Sequence, residues 1–198
     1  MSRNVFDRCG IMIAVVALTC VVGWPAAGVA QTPAGAARAA KTTVLGGTIV
    51  LSDTGPLIGG DDARQASQVA GVVPSVLNAE SLHAVTIGWL DQAVAEASLG
   101  ALGLTVGGNG ISAGFVMARA AAAIGVPSAG ATTIEGLSIN GVPIAVTGQP
   151  NQTILIPGGR IVINEQQPIL PTGVTVNALH IVIDGVADVV IASATAGI

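Results

Sequence analysis

The chain has 198 residues, of which 51% are hydrophobic, 9% are charged and 2% are aromatic. This composition excludes a disordered or collagen-like protein, and the length suits one globular domain with a sizeable core. The net charge of −4 opposes binding to a nucleic-acid backbone or to anionic lipid. We therefore expect one folded domain that has no nucleic-acid partner.

Residues 1–30 are typical of a secretory signal peptide. Arg3 and Arg8 form a basic start, and the uncharged apolar run 11–23 is shorter than the roughly 20 residues of a membrane-spanning helix. The alternatives are an uncleaved membrane anchor and a lipoprotein signal at Cys20. The pattern predicts export, so we expect a secreted or cell-surface protein.

Gly28 and Ala30 are small residues at the spacing that signal peptidase requires, which predicts cleavage after Ala30. Cleavage removes both cysteines of the chain, Cys9 and Cys20. The exported chain then has no disulfide and depends on its hydrophobic core for stability. We also expect no membrane span in this processed chain.

Residues 31–46 are predicted to be a flexible leader. Their first part, QTPAGAARAAK, is rich in alanine and shows no sustained apolar period. Residues 47–198 are then predicted to form a single β-rich domain, because short runs of Val, Ile, Leu and Thr alternate with clusters of Gly, Pro, Asn and Asp.

Three hairpins are predicted in the C-terminal half, where β-branched runs flank turn residues. The turns lie at Asn140-Gly141, which joins predicted strands at 132–139 and 142–146, at 157–159 and at Asp184-Gly185. Together they indicate an all-β fold, an antiparallel β-sandwich-like domain built of hairpins. A β-solenoid is the alternative.

The Ala-rich middle, residues 89–124, is ambiguous because alanine is the best helix former. Gly100, Gly103 and Gly114 interrupt the runs, and Gly107-Gly108 is typical of a hairpin joint. We therefore predict strands there, with an α+β fold as the alternative if the segment is helical.

Alternation of side chains predicts the position of the last strands. Ala192, Ala194 and Ala196 alternate with Ser193 and Thr195, which indicates an outer strand with one wet face. By contrast, residues 179–183 are apolar on both faces except at His180, which indicates a central strand.

Catalytic chemistry has few candidates in this sequence. The chain has two histidines, and no known nucleophile or nucleotide-binding motif is present. His180 is a weak candidate, with Glu165 or Asp184 as its carboxylate partner. His83 is more typical of a structural histidine.

Cofactor and metal sites have even weaker support. Asp61 and Asp62 follow two glycines in a loop and are weak candidates for calcium ligands, but the spacing of a calcium loop is missing. Trp89 is the sole candidate for a sugar-binding platform after cleavage, and a core position is the commoner role. We expect no cofactor.

Six segments stand out when they are read together: LSDTGPL (51–57), FVMARA (115–120), GLSING (136–141), VTGQPNQT (146–153), VINEQ (162–166) and TVNALH (175–180). In this order they resemble the choice-of-anchor P proteins, a family of bacterial exported proteins. The resemblance implies a surface or secreted β-rich domain without catalytic residues. No sorting motif or apolar tail follows Ala196, so we expect no C-terminal anchor.

These observations lead to three hypotheses for function. The first is a noncatalytic structural or interaction module at the bacterial surface or outside the cell, whose partner is a component of the envelope. The second is a hydrolase of envelope polymer that uses His180. The third is self-association into oligomers or fibres through low-charge strands, notably 189–196.

Overall fold

A computed structural model of the protein describes residues 32–169 and 171–198, and the predicted signal peptide and its cleavage point lie outside these ranges. The described residues form β-strands and no helix. The strands are β1 (Ala34–Val44), β2 (Gly47–Asp53), β3 (Asp62–Val73), β4 (Leu77–Gly88), β5 (Gln92–Val106), β6 (Asn109–Ala123), β7 (Val126–Glu135), β8 (Ser138–Ile139), β9 (Val142–Pro143), β10 (Gln152–Ile156), β11 (Gly159–Ile169), β12 (Gly173–Ile183) and β13 (Ala187–Gly197).

The strands form two sheets that pack against each other. Sheet A has the order β10-β11-β12-β13-β1-β2, and sheet B has the order β3-β4-β5-β6-β8-β9, with β7 also paired to β6. All pairings in both sheets are antiparallel. The predicted sandwich-like fold is therefore confirmed, and the solenoid and α+β alternatives are wrong.

The Ala-rich middle forms β5 and β6, which pair along their full length. Their alternate alanines point into the space between the sheets, where small side chains let the two layers approach closely. The joint between the strands is Gly107-Gly108, and both glycines have a positive φ. A continuous helix would not contain this turn. The preference of Gly107-Gly108 for a hairpin turn therefore outweighs the helix propensity of alanine.

The core lies between the two sheets and is aliphatic. Its largest fully buried side chains are Leu82, Leu99, Ile111, Ile161, Ile163, Leu179, Ile181 and Ile191, with Val116, Val176 and Val189. Sheet B contributes many alanines around Leu82, Leu99 and Ile111, and sheet A contributes most of the buried isoleucines. Among the residues that the structure describes, the buried hydrophobic side chains form one cluster that runs from Ala37 to Ile198.

The three predicted turns are present, although the first hairpin is shorter than expected. Asn140 and Gly141 have positive φ values and join β8 to β9, which have two residues each. Thr132 to Glu135, expected to be part of that hairpin, belongs to β7 and pairs with β6 instead. Gly136, also with a positive φ, separates β7 from β8.

The predicted flexible leader, residues 31–46, is wrong for most of its length. β1 begins at Ala34 and pairs with β13 on one side and β2 on the other. Ala37, Ala39 and Ala40 are buried in the core. A strand of alanines fits here because larger side chains in its neighbours fill the remaining space, and the folded domain therefore begins before residue 47.

The predicted position of the last strand is also wrong. Ala192, Ala194 and Ala196 do point into the core, but β13 lies in the middle of sheet A, between β12 and β1. One wet face is common to all strands of an antiparallel sheet, so it does not identify an edge. Because both sides of β13 are paired, residues 189–196 offer no free edge for self-association.

Both sheets contain a line of residues that interrupts the strand periodicity, here called the crease. It consists of Ser52, Asn164 and Ala192 in sheet A and Ser81 and Ala101 in sheet B, all with a positive φ inside a strand. At the crease, two successive side chains point to the same face of the sheet. In sheet A such pairs enter the core, as at Ala178-Leu179 and Ile191-Ala192.

Candidate functional site

The crease brings together polar side chains on the outer face of sheet A. Ala178 and Leu179 are both fully buried, so the residues on either side of them, Asn177 and His180, point to the outer face together. Three positions apart, they would face opposite ways in a regular strand. On the neighbouring strand β11, Glu165 is paired with Asn177.

Glu165 is the centre of this polar cluster, which consists of Glu165, Asn177, His180 and Asp188. Its Oε2 atom accepts a hydrogen bond of 2.6 Å from Asn177 Nδ2 and lies 2.9 Å from His180 Nδ1. On the other side of the ring, His180 Nε2 lies 3.3 Å from Asp188 Oδ2. The imidazole is therefore held between two carboxylates, and both would accept from it when it is protonated.

The cluster is largely shielded from solvent although it lies on an outer face. The side chains of His180 and Glu165 are 17% and 15% exposed, whereas that of Asp188 is 52% exposed. Burial by itself raises the pKa of Glu165. The hydrogen bonds from Asn177 and His180 outweigh burial, and the pKa lies below its ordinary value. Glu165 is therefore held as a carboxylate.

Asp184, one of the predicted partners of His180, lies elsewhere. It is exposed in the turn between β12 and β13, where its backbone N–H donates to Gly158 O at 2.9 Å. The carboxylate that reaches His180 is Asp188, because Asp188 pairs with Val182 and so lies diagonal to His180 on the same face. Asp184-Gly185 does form the predicted turn, but Asp184 has a role in that turn and not in the polar cluster.

The cluster supplies groups for acid–base chemistry without a clear place for a substrate. Asp188 borders a shallow depression of about 380 Å³ near Thr43 and Val182, but His180 and Glu165 do not line it. Both ring nitrogens of His180 already have carboxylate neighbours. A substrate would have to displace one of them to reach the ring.

The second histidine belongs to the outer face of sheet B. His83 Nδ1 lies 2.9 Å from Ser67 Oγ, and the two residues are directly opposite each other on β4 and β3. A serine beside a histidine is half of a nucleophile pair, but here both side chains lie on an open sheet face as a cross-strand polar pair.

Asp61 and Asp62 lie just before and at the start of β3. Asp62 Oδ2 accepts from the Ile58 backbone N–H at 2.7 Å and from Arg64 Nε at 2.9 Å. Both hydrogen bonds lower the pKa of Asp62, and the one from Arg64 has the larger effect. Within residues 32–169 and 171–198, no group of three His, Cys, Asp or Glu side chains is placed to hold a metal ion.

Sheet B has an apolar trough of about 410 Å³ on its outer face that the sequence did not indicate. Its floor is the cross-strand row Ile87, Val94, Ala121 and Ala129. The trough arises because β6 and β7 carry alanines beside the larger residues of β4 and β5. The ion pair between Glu96 and Arg119 borders it.

Comparison with known proteins adds no assignment. No protein-family model matches the sequence, and neither the curated proteins nor the solved structures include a chain similar to it by this comparison. In the described part of the chain, none of the elements is a helix of the length and apolarity needed to cross a bilayer.

Proposed function

We propose that this protein is a noncatalytic, exported structural or interaction module of the bacterial cell surface or the surrounding medium, related to the choice-of-anchor P proteins. The signal-peptide pattern of residues 1–30 and the six segments quoted above support this proposal. A sandwich whose described residues form an extensive aliphatic core can fold without a disulfide, which suits a protein that works outside the cell.

The observation that carries the proposal is that the members of the polar cluster are hydrogen-bond partners of one another. Glu165, Asn177, His180 and Asp188 form hydrogen bonds with one another, and Glu165 and His180 are mostly buried. Polar groups that are paired in this way stabilise a sheet face. The residues best suited to catalysis thus have a structural explanation.

Cell fractionation tests the proposal. The full chain with a C-terminal tag is expressed in a bacterial host, and the mass of the recovered protein is measured in the cytosol, the envelope and the medium. We expect a chain that begins at Gln31 in the envelope or the medium. Recovery in the cytosol with Met1 to Ala30 still attached would contradict export.

A substitution at the predicted cleavage point provides the control. Ala30→Leu places a large side chain where signal peptidase requires a small one, so processing should stop and the longer chain should accumulate. Gln31→Ser, one position later, should be processed normally. If both variants are processed alike, cleavage does not occur at Ala30.

The alternative function is a hydrolase of envelope polymer, and the 2.9 Å separation of His180 and Glu165 favours it. A histidine beside a buried carboxylate is a suitable general base. His180→Ala would then abolish turnover of purified envelope polymer, while His83→Ala would not. If the wild-type protein and His180→Ala release products at the same rate, this alternative is excluded.

A further inference from the structure

One end of the sandwich carries large apolar side chains on its loops. These residues, here called the apolar rim, are Ile58, Trp89, Leu90, Ile124 and Val126. Ile58 lies in the loop before β3, Trp89 and Leu90 lie between β4 and β5, and Ile124 and Val126 lie at the β6–β7 turn. Antiparallel pairing places these three connections at the same end of sheet B.

Direct contacts join the three connections. The backbone N–H of Ile124 donates to Asp91 O at 2.9 Å, which links the β6–β7 turn to the β4–β5 turn. Gly60 packs against Leu90, since a methyl group added at Gly60 would lie 2.7 Å from Leu90 Cδ2. The three connections that carry the apolar rim are therefore adjacent to one another.

The side chains of the apolar rim are strongly exposed. Leu90 and Ile58 are each 71% exposed, Val126 is 56%, Ile124 is 55% and Trp89 is 39%. Single exposed apolar residues are normal, but five on three adjacent connections, one of them a tryptophan, are typical of a binding surface. The trough begins at the same end, because Ile87, which lines it, lies two positions before Trp89.

The chain also enters the fold at this end. Ala34, the first residue of β1, is paired with Gly197, and Pro33 packs against Gly88 just before Trp89. Pro33 and Ala34 therefore lie beside the apolar rim.

Charge decides between the possible occupants of this surface. Asp61 and Asp91 flank the apolar rim, and Asp62 is neutralised by Arg64. A second copy docked by the same face would bring aspartates together, and an anionic membrane would repel them. An uncharged lipid surface accepts the apolar side chains without this penalty, and tryptophan favours the interface between lipid and water.

We propose that the apolar rim docks on a zwitterionic lipid surface, with Trp89, Leu90 and Ile124 entering the region between the headgroups and the acyl chains. Interfacial segments typically enter this region by about 5 to 10 Å. The proposal names a partner for the interaction module and thus rests on the proposed function, which places the domain outside the cytosol.

Vesicle binding tests the proposal on the chain from Gln31 to Ile198. This part is the predicted processed chain, and it forms one compact unit that holds the core cluster from Ala37 to Ile198. Trp89 is its sole tryptophan, so its fluorescence reports directly on the apolar rim. With phosphatidylcholine vesicles we expect a blue shift of this fluorescence and sedimentation of the protein with the vesicles.

Leu90→Asp should weaken vesicle binding at least tenfold, because it places a carboxylate at the centre of the apolar rim. The matched control is Leu45→Asp, an equally polar change at a residue that is 81% exposed at the opposite end of the sandwich. It should leave binding unchanged. Equal losses in the two variants, or none in Leu90→Asp, would overturn the proposal.

Two further results would also overturn it. Stronger binding to phosphatidylglycerol vesicles than to phosphatidylcholine vesicles would show that the lipid is not recognised as a neutral surface. A dimer seen by light scattering without lipid, and lost in Leu90→Asp, would identify a second copy as the occupant. Fractionation tests export separately, so failure of vesicle binding leaves that part of the proposed function intact.

Discussion

Glu165 and His180 lie side by side on the outer face of sheet A, with Oε2 of the carboxylate 2.9 Å from Nδ1 of the ring. The crease is responsible for this contact, because it turns both Ala178 and Leu179 into the core and leaves His180 and Asn177 on the same face. A local change in backbone conformation thus assembles a polar cluster from residues that a regular strand would separate.

Glu165→Gln should lower the free energy of unfolding by about 1 to 2 kcal/mol at pH 7, because it weakens two hydrogen bonds to a carboxylate. The folded-state pKa of Glu165 lies below the ordinary value of 4.5, so its stabilising effect is complete above that pH. The effect should disappear as the pH falls through the folded-state pKa.

Denaturant unfolding of the wild type and Glu165→Gln at a series of pH values measures this difference. Glu80→Gln, at an exposed glutamate of β4, is the control and should change stability by less than about 0.5 kcal/mol. A difference between the wild type and Glu165→Gln that persists unchanged at acid pH would contradict ionisation of Glu165 as its source.

Ala101→Gly should raise the free energy of unfolding by about 1 kcal/mol. Ala101 is exposed and has a φ of 48°, a conformation that is costly for alanine and free for glycine. Ala63→Gly is the matched control, at an exposed strand alanine outside the crease, and should lower stability by roughly 0.5 to 1 kcal/mol. Thermal melting measures the change in stability of both variants. A lower melting temperature in both would contradict the positive φ of Ala101.

The hairpins were predictable because their turns are encoded by adjacent residues. Asn140-Gly141 and Asp184-Gly185 tolerate the positive φ values that tight turns need, whatever the rest of the fold does. The crease was not predictable in the same way. Ala192, Ala101 and Ser81 carry no local signal for a positive φ, and the surrounding pairing forces it on them.

The misassigned segments also depend on long-range pairing. β1 is read as a flexible leader because AGAARAAK lacks the β-branched residues of a typical strand, and its place in the sheet comes from β13 and β2. Asp188 was missed as the partner of His180 for the same reason. The register of β12 and β13 places Asp188 near the imidazole of His180. In the sequence, Asp184 is the more conspicuous residue because it precedes a turn glycine.

Gly159→Ala should be strongly destabilising, by about 2 kcal/mol or more. A methyl group at Gly159 would overlap the backbone oxygen of Val182, and backbone atoms can move little to relieve the overlap. Gly47→Ala is the control, because its nearest neighbour would be Val44 O at 3.5 Å. Similar melting temperatures for the two variants would contradict the register of β11 and β12.

Leu179→Ala should lower the free energy of unfolding by about 3 kcal/mol, because it leaves a cavity among the fully buried residues of sheet A. Leu155→Ala removes the same atoms from a side chain that is 83% exposed, so its effect should stay within about 0.5 kcal/mol. Urea titrations with equal m-values would show that the difference arises in the folded state.

Hydrogen exchange on the chain from Gln31 to Ile198 tests most directly whether small apolar side chains build two layered sheets from Ala34 onward. The slowest exchange should occur in β1, β12 and β13, since each is paired on both sides in sheet A. The amides of the edge strand β3 should exchange faster. Exchange of residues 34–44 at the rate of an unstructured peptide would contradict this fold.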